Sequence, residues 1–340
     1  MTVDSLAEFW WRYILPAALQ ATPLLLLAAA LDLLLPRAVA PVWRSALWTV
    51  AALKLALPST QLAPWGLLPR WQLEATQPLQ PLAAFAWIVP ALWLTGGIIL
   101  VAGSWLWLRR GVLHWTRHAV PTHNHRLQQL AASMGIRAPR LLESAALDGP
   151  VVTGLIRPTI FWPSAIQSYL TETEQQQVMR HELAHIVRRD AWREFAWLVL
   201  LAAFWFHPLV WWGARRMRSI REQSCDRTAA RLPGHCPDSY RSALLKVMAR
   251  IEGLAPLPGL ALIDPRTPLA DRLELLRTAP SGTWRTIAGC LALVALLAAW
   301  PALSWADRSS ETVAEWMVRP PGSLQLQYHV LQRLAEEDSK

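Results

Sequence analysis

The chain has 340 residues, room for roughly two ordinary domains, but 53% are hydrophobic, 17% are charged and 21 are tryptophan. That profile argues against a plain soluble protein and for one set in a membrane. The net charge is +9, and its excess lies wholly in the middle: 24 Lys and Arg against 14 Asp and Glu between Arg109 and Arg285, but 9 against 10 elsewhere.

The opening stretch, MTVDSLAEFW, has no basic n-region and carries Asp4 and Glu8, so the first apolar run reads as an uncleaved span. A span needs about 20 apolar residues. Residues 14–35 qualify despite Asp32, and residues 82–108 hold no charge and end on the interface anchors Trp105 and Trp107. Residues 39–57 form a weaker span, interrupted by Arg44 and Lys54, although a lysine near an end can snorkel to the headgroups. The last apolar run, Thr286–Leu303, falls within residues 284–305.

Sidedness follows from the arginines beside these runs. Arg37 and Arg44, then Arg109, Arg110 and Arg117, then Arg272, Arg277 and Arg285 assign their segments to the cytoplasm. The N-terminus, the loop of residues 59–81 and the tail then lie outside, which requires residues 39–57 to cross. The expected order is an N-terminal transmembrane region (1–108, three spans), a cytoplasmic domain (109–283), a C-terminal transmembrane helix (284–305) and a short extracytoplasmic tail (306–340). Within the central domain, residues 194–212 are long enough to cross, yet arginines flank both ends and His207-Pro208 interrupts them. They read as a buried or membrane-dipping helix pair.

Ahead of that pair, PVVTGLIRPTIFWP has β-branched runs split by Gly154 and Arg157-Pro158, the pattern of a short hairpin. Thr171 and Glu174 then form a capping-box signature, and neither proline nor glycine follows before Asp190. His181 and His185 thereby share one helical face, one turn apart, as two imidazoles must to meet a single tetrahedral ion. Glu182 projects beside that point and can take a proton from water. A catalytic zinc needs a third protein ligand and an open position. The unbroken stretch from Ala214 to Arg231 places Glu222 and Asp226 four apart on one helical face. There Glu222 can bind zinc while Asp226 accepts the ring N–H of a ligand histidine. The alternative is that both carboxylates pair with Arg218, Arg221 or Arg227 on a solvated face.

The pattern GPVVTGLIRPTIFWP, HELAHIVRRD, HPLVWW and REQSCD resembles the BlaR/MecR family of membrane zinc metallopeptidases, antirepressors that respond to beta-lactam antibiotics. The likeness spans roughly residues 1–305. It implies that His181, His185 and Glu222 bind one zinc ion per chain, that Glu182 is the general base, and that the zinc domain is cytoplasmic. It also implies that Thr159, Ile160 and Phe161 lie in an edge strand that receives the substrate backbone, as in gluzincin-type peptidases. About 35 residues follow Trp305, too few for the penicillin-binding sensor domain of the best-known members, so a signal other than its acylation is expected.

Other signals carry less. His114, His118, His123 and His125 are irregularly spaced and read as a membrane-proximal linker, and Cys225 reads as an inward-packing small hydrophobe. The three cysteines in all, with Cys236 and Cys290, are too few for a disulfide framework. His207 and His235 are candidate donors to a tetrahedral oxyanion. The central arginines lack a reader motif, so membrane lipid, and not nucleic acid, is their expected partner.

Together these readings predict a mainly α integral membrane protein of the bacterial inner membrane with about four transmembrane helices and a cytoplasmic α+β, gluzincin-like domain. It would be a zinc endopeptidase that cuts a cytosolic or juxtamembrane protein such as a transcriptional repressor, with a homodimer allowed. The rival is a non-catalytic scaffold or signal transducer with a structural or vestigial zinc site, in which Glu182 would have no task.

Overall fold

The computed structural model describes residues 3–36, 39–57, 62–63, 87–232, 234–251, 272, 283–302 and 305–306. The chain begins with α1 (Val3–Phe9), a π-helical turn (Trp10–Ile14) and α2 (Leu15–Leu34), which follow one another without a break. Pro16 has no N–H to donate, and the wider π turn just before it lets the helix accommodate that loss. Alanines at 17, 21 and 28 are buried on α2, so neighbouring helices can approach closely without a driving force from water.

Next come α3 (Pro41–Ala56) and α4 (Ile88–Arg117). Along α4 only Pro90 and Gly97 are buried, while Leu92, Ile98 and Ile99 point outward, as a lipid-facing helix requires. Beyond it lie α5 (His125–Ser133), α6 (Glu172–Val187), α7 (Asp190–Ala203), α8 (Pro208–Ala230), α9 (Pro237–Ile251) and α10 (Thr283–Ala302). Among the described residues, three helices are long and apolar enough to cross a bilayer: Leu15–Leu34, Ile88–Arg117 and Thr283–Trp300. With 16 residues, α3 measures about 24 Å, short of a hydrocarbon core of about 30 Å.

Most of the loop 59–81 and the tail 306–340 lie outside the described residues. One contact links their edges: β1 (Leu62–Ala63) pairs in parallel with β6 (Trp305–Ala306). Segments following α3 and α10 therefore meet.

Residues 194–212 form the end of α7 and the start of α8, broken at Phe204–His207. A break inside a bundle frees backbone carbonyls that must find donors. Indoles supply them: Trp93 Nε1 donates to Ala203 O at 2.6 Å and Trp211 Nε1 to Trp205 O at 2.6 Å. The pair packs into the helical bundle, where Trp197, Leu201, Phe204, Val210, Ala214 and Ile220 join the core of α2 and α3. Gly213 permits this, since a Cβ there would sit 3.0 Å from both Trp48 and Trp197.

A second core unites a four-stranded sheet with α5, α6 and α9 through Leu127, Ile160, Trp162, Ile166, Leu183 and Ala243. The strands are β2 (Ala119–Pro121), β3 (Arg140–Ser144), β4 (Val151–Thr153) and β5 (Thr159–Pro163), in the order β2-β3-β5-β4. β3 and β5 run parallel, and the other pairs are antiparallel. Gly154 opens the β4–β5 hairpin at φ +96°, where an added Cβ would meet Arg157 O at 2.5 Å.

This topology corrects one expectation. Thr159, Ile160 and Phe161 lie in β5, which is bonded to β3 on one side and β4 on the other, with Ile160 and Phe161 buried. A strand with both edges occupied has no backbone groups left for a substrate. The edge belongs to β4, which packs on α6.

The helix α6 starts on a complete capping box: Glu174 N–H donates to Thr171 Oγ1, and Thr171 N–H to Glu174 Oε2 at 2.8 Å. The Glu174 carboxylate also takes Lys246 Nζ at 2.8 Å and Ser242 Oγ at 2.5 Å, tying α6 to α9. Burial raises this carboxyl, but Lys246, Ser242 and the Thr171 N–H outweigh it and hold it down to about 2. A carboxylate depressed on folding stabilises at pH above its ordinary value and loses that contribution as protons reach it. Thermal unfolding of the purified protein should therefore show stability falling as pH drops from 4.5 toward about 2, with a shallower fall in Glu174→Gln. Equal pH dependence in both would refute the assignment.

Candidate metal centre

Two helices build the site. From α6, His181 and His185 come off one face with ring centroids 4.9 Å apart. From α8, Glu222 Oε2 reaches to 3.4 Å from His181 Nε2 and 3.8 Å from His185 Nε2. A tetrahedral ion with bonds of about 2.0–2.1 Å has its ligand atoms about 3.3 Å apart, so these three atoms can surround one ion with little movement.

The far sides of both rings are fixed. His181 Nδ1 is 2.9 Å from Tyr240 Oη and 3.1 Å from Asp226 Oδ1, while Tyr240 donates its hydroxyl to that same Asp226 oxygen at 2.5 Å. His185 Nδ1 lies 3.0 Å from Asp190 Oδ2. A proton held on each Nδ1 leaves each Nε2 lone pair facing Glu222. Asp190 reaches His185 because Arg189 adopts a left-handed conformation, φ +54°, and turns the chain sharply between α6 and α7.

Charge in the site favours a cation. Burial works against a protonated His181, yet Asp226 and Glu222 outweigh it and push the imidazole up to about 10. Glu222 is disfavoured by burial but held well below the usual carboxylate range by His185, His181 and Arg221. Burial would likewise raise Asp226, and Arg272, which donates to both its oxygens at 2.8 and 2.7 Å, more than reverses this. The place between His181 and Glu222 thus attracts positive charge, as a site for a divalent ion must. Glu182, 7% exposed, is pushed up chiefly by burial and also by Glu222, against the pull of His181 and His185. A carboxyl raised in this way is suited to proton transfer.

Not every candidate is here. His207 sits in the helical bundle with Nε2 2.9 Å from Thr22 Oγ1, so the oxyanion role expected of it fails by placement. His235 is closer, its ring centroid 5.5 Å from that of Tyr240 and its Nδ1 3.2 Å from Gln177 Oε1. Cys225 is fully buried, 3.2 Å from His185 Nδ1 and donating to Asp190 Oδ2 at 3.1 Å, and burial followed by Asp190 and Glu222 pushes its thiol up. Asp190, Tyr240 and Arg272 were not among the sequence candidates. An acidic residue just past the HExxH helix was the one available sign of the first.

The family model described as BlaR1 peptidase M56 matches residues 71–276, a stretch that contains this whole site. The chain belongs to the BlaR1 peptidase M56 family. The description of that family is that of a peptidase. Curated BlaR1 peptidase M56 relatives include the "Regulatory protein BlaR1" of Bacillus licheniformis, 34% identical over 86 residues, which are 25% of this chain and 14% of that protein. The "Methicillin resistance mecR1 protein" of Staphylococcus aureus is 28% identical over 104 residues, 30% of this chain and 18% of that one. The same figures hold for its namesake in Staphylococcus epidermidis. The matched stretches thus span under a fifth of these relatives.

Proposed function

We propose that this protein is a zinc-dependent endopeptidase of the bacterial inner membrane that cuts a cytosolic or juxtamembrane protein, such as a transcriptional repressor, when a signal crosses the membrane. The observation that carries this reading is the convergence of His181 Nε2, His185 Nε2 and Glu222 Oε2, with Glu182 buried beside them. His181, His185 and Glu222 would hold the zinc, leaving a fourth position for water or substrate. When bound, zinc supplies Lewis acidity and makes water acidic enough to lose a proton near neutral pH.

The remaining chemistry falls to side chains. Glu182 takes the proton from water and passes it to the nitrogen of the leaving amine. Asp226 and Tyr240 keep the proton of His181 on Nδ1, and Asp190 does the same for His185, so neither ring turns its N–H toward the ion. His235 is the remaining candidate to donate to the oxyanion. The free edge of β4, lying on α6, is the surface that would align an extended substrate. Four crossings, with α3 among them, and a cytoplasmic zinc domain complete the proposal.

Zinc stoichiometry on detergent-purified protein tests the centre. Wild type should carry one ion per chain and His185→Ala almost none, while Asp190→Asn should weaken binding about 10- to 100-fold. A wild type that binds no zinc would leave the non-catalytic rival in possession.

A further inference from the structure

A cavity of about 570 Å³ opens between α3, α4, α7 and α8. Asp190 lines it and also holds His185 Nδ1, the side of that ring turned away from Glu222. The cavity therefore lies behind the metal-facing nitrogens, out of the path of a scissile bond.

Its walls are of two kinds. Val42, Leu100, Trp197 and Leu201 make an apolar trough from membrane helices. At the other end four arginines, Arg188, Arg193, Arg218 and Arg221, line the cavity with two carboxylates, Asp190 and Glu194, and Arg221 also touches Glu222 with Nε 3.4 Å from Oε1. Glu194 is taken by Arg218 and Arg221, each at 2.5 Å. Asp190 must serve Arg188 and Arg193 while Oδ2 already accepts from His185 and Cys225. Arg188 Nε, buried, lies 3.5 Å from Asp190 Oδ2 and makes no hydrogen bond, and the Arg193 side chain is 54% exposed. A buried guanidinium N–H without an acceptor is costly, so an anion is wanted here.

Depth narrows the choice. The lining comes from the start of α3, at Val42 to Thr49, and the later part of α4, at Leu100 to Leu108. Those ends carry Arg44 and Arg109, the flanks that the charge pattern assigns to the cytoplasmic leaflet, where anionic lipids gather. A free anion would leave the trough facing water, and a zwitterionic lipid would bring its own cation to a lining that holds four arginines and two carboxylates. A molecule with an anionic head and acyl chains meets both demands.

We propose that this cavity binds one anionic phospholipid, its phosphodiester on Arg188 and Arg193 and its acyl chains along α3, α4 and α7. The site does not depend on zinc being bound.

The test is native mass spectrometry of the full detergent-purified chain, incubated with palmitoyl-oleoyl phosphatidylglycerol or the matching phosphatidylcholine. Wild type should retain the phosphatidylglycerol adduct in preference to the other. The double variant Arg188→Gln, Arg193→Gln should weaken its retention about twenty-five-fold, from a contribution of about fivefold per arginine. Ala196→Trp, which fills the apolar trough and leaves the arginines in place, should also expel it. Arg109→Gln, outside the cavity, should not. Equal retention of the two lipids, or undiminished retention in the double variant, overturns the proposal. So does displacement by millimolar inorganic phosphate, which would mark a site for a small anion alone. Should the double variant misfold, the comparison of lipids and the Ala196→Trp result still decide.

Discussion

Replacing Glu182 with glutamine is expected to leave zinc binding intact and to slow cleavage about 10²- to 10⁴-fold, the usual worth of a positioned general base. Glutamine fills the same space and keeps an oxygen acceptor, but it cannot carry a proton from water to a leaving nitrogen. The three groups that would hold the ion, His181, His185 and Glu222, are untouched by the change. Cytosolic and membrane proteomes of cells expressing wild type and Glu182→Gln would be compared for new N-termini. Termini present only with wild type identify the substrate. If Glu182→Gln retains zinc and yields the same termini at the same rate, Glu182 is not the base. If neither form yields any while zinc is bound, the endopeptidase reading itself fails.

The second large effect lies in the bundle. Asp32 is 2% exposed and accepts from Arg44 Nη1 at 2.5 Å, Trp48 Nε1 at 3.1 Å and Arg216 Nε at 2.5 Å. Arg44 in turn donates to Asp32 O, Leu35 O and Pro36 O, satisfying carbonyls at the end of α2. Asp32→Asn would leave the buried Arg44 and the partly buried Arg216 facing a neutral amide. Removing one partner of such a set costs about 3–5 kcal/mol, because the surviving charge stays buried without compensation. Thermal unfolding in detergent should show a large drop. A shift below about 2 °C, worth under about 1 kcal/mol for a chain of this size, would show that water or lipid headgroups already solvate the arginines.

Much of the candidate centre was legible because its parts are local. A capping box at Thr171 and Glu174 marks where α6 begins, and a four-residue spacing does the rest for His181 with His185 and for Glu222 with Asp226. What local pattern cannot convey is the partner across a long gap. Tyr240 meets His181 from 59 residues away, and Arg272 meets Asp226 from 46. Asp190 is only five positions past His185, but in a continued helix it would point elsewhere, and the left-handed Arg189 is what brings it round. The hairpin at Gly154 was readable from its β-branched runs, whereas the parallel β3–β5 pairing that buries β5 depends on a crossover that no short stretch encodes. Asp32, Arg44 and Lys54 looked like blemishes in apolar spans. All three are buried, at 2%, 3% and 2% exposure.

One helix belongs to both halves of the molecule. The first part of α8 places Val210, Ala214 and Ile220 in the bundle core and Arg216 on Asp32, and less than two turns later the same helix presents Glu222 to the histidines. A soluble fragment cut at the membrane boundaries, residues 109–283, would strip these side chains of their neighbours and lose the anchor that sets where the carboxylate stands. The proposed hydrolysis therefore needs the intact chain, and a reconstitution that tests it has to begin from vesicles or discs.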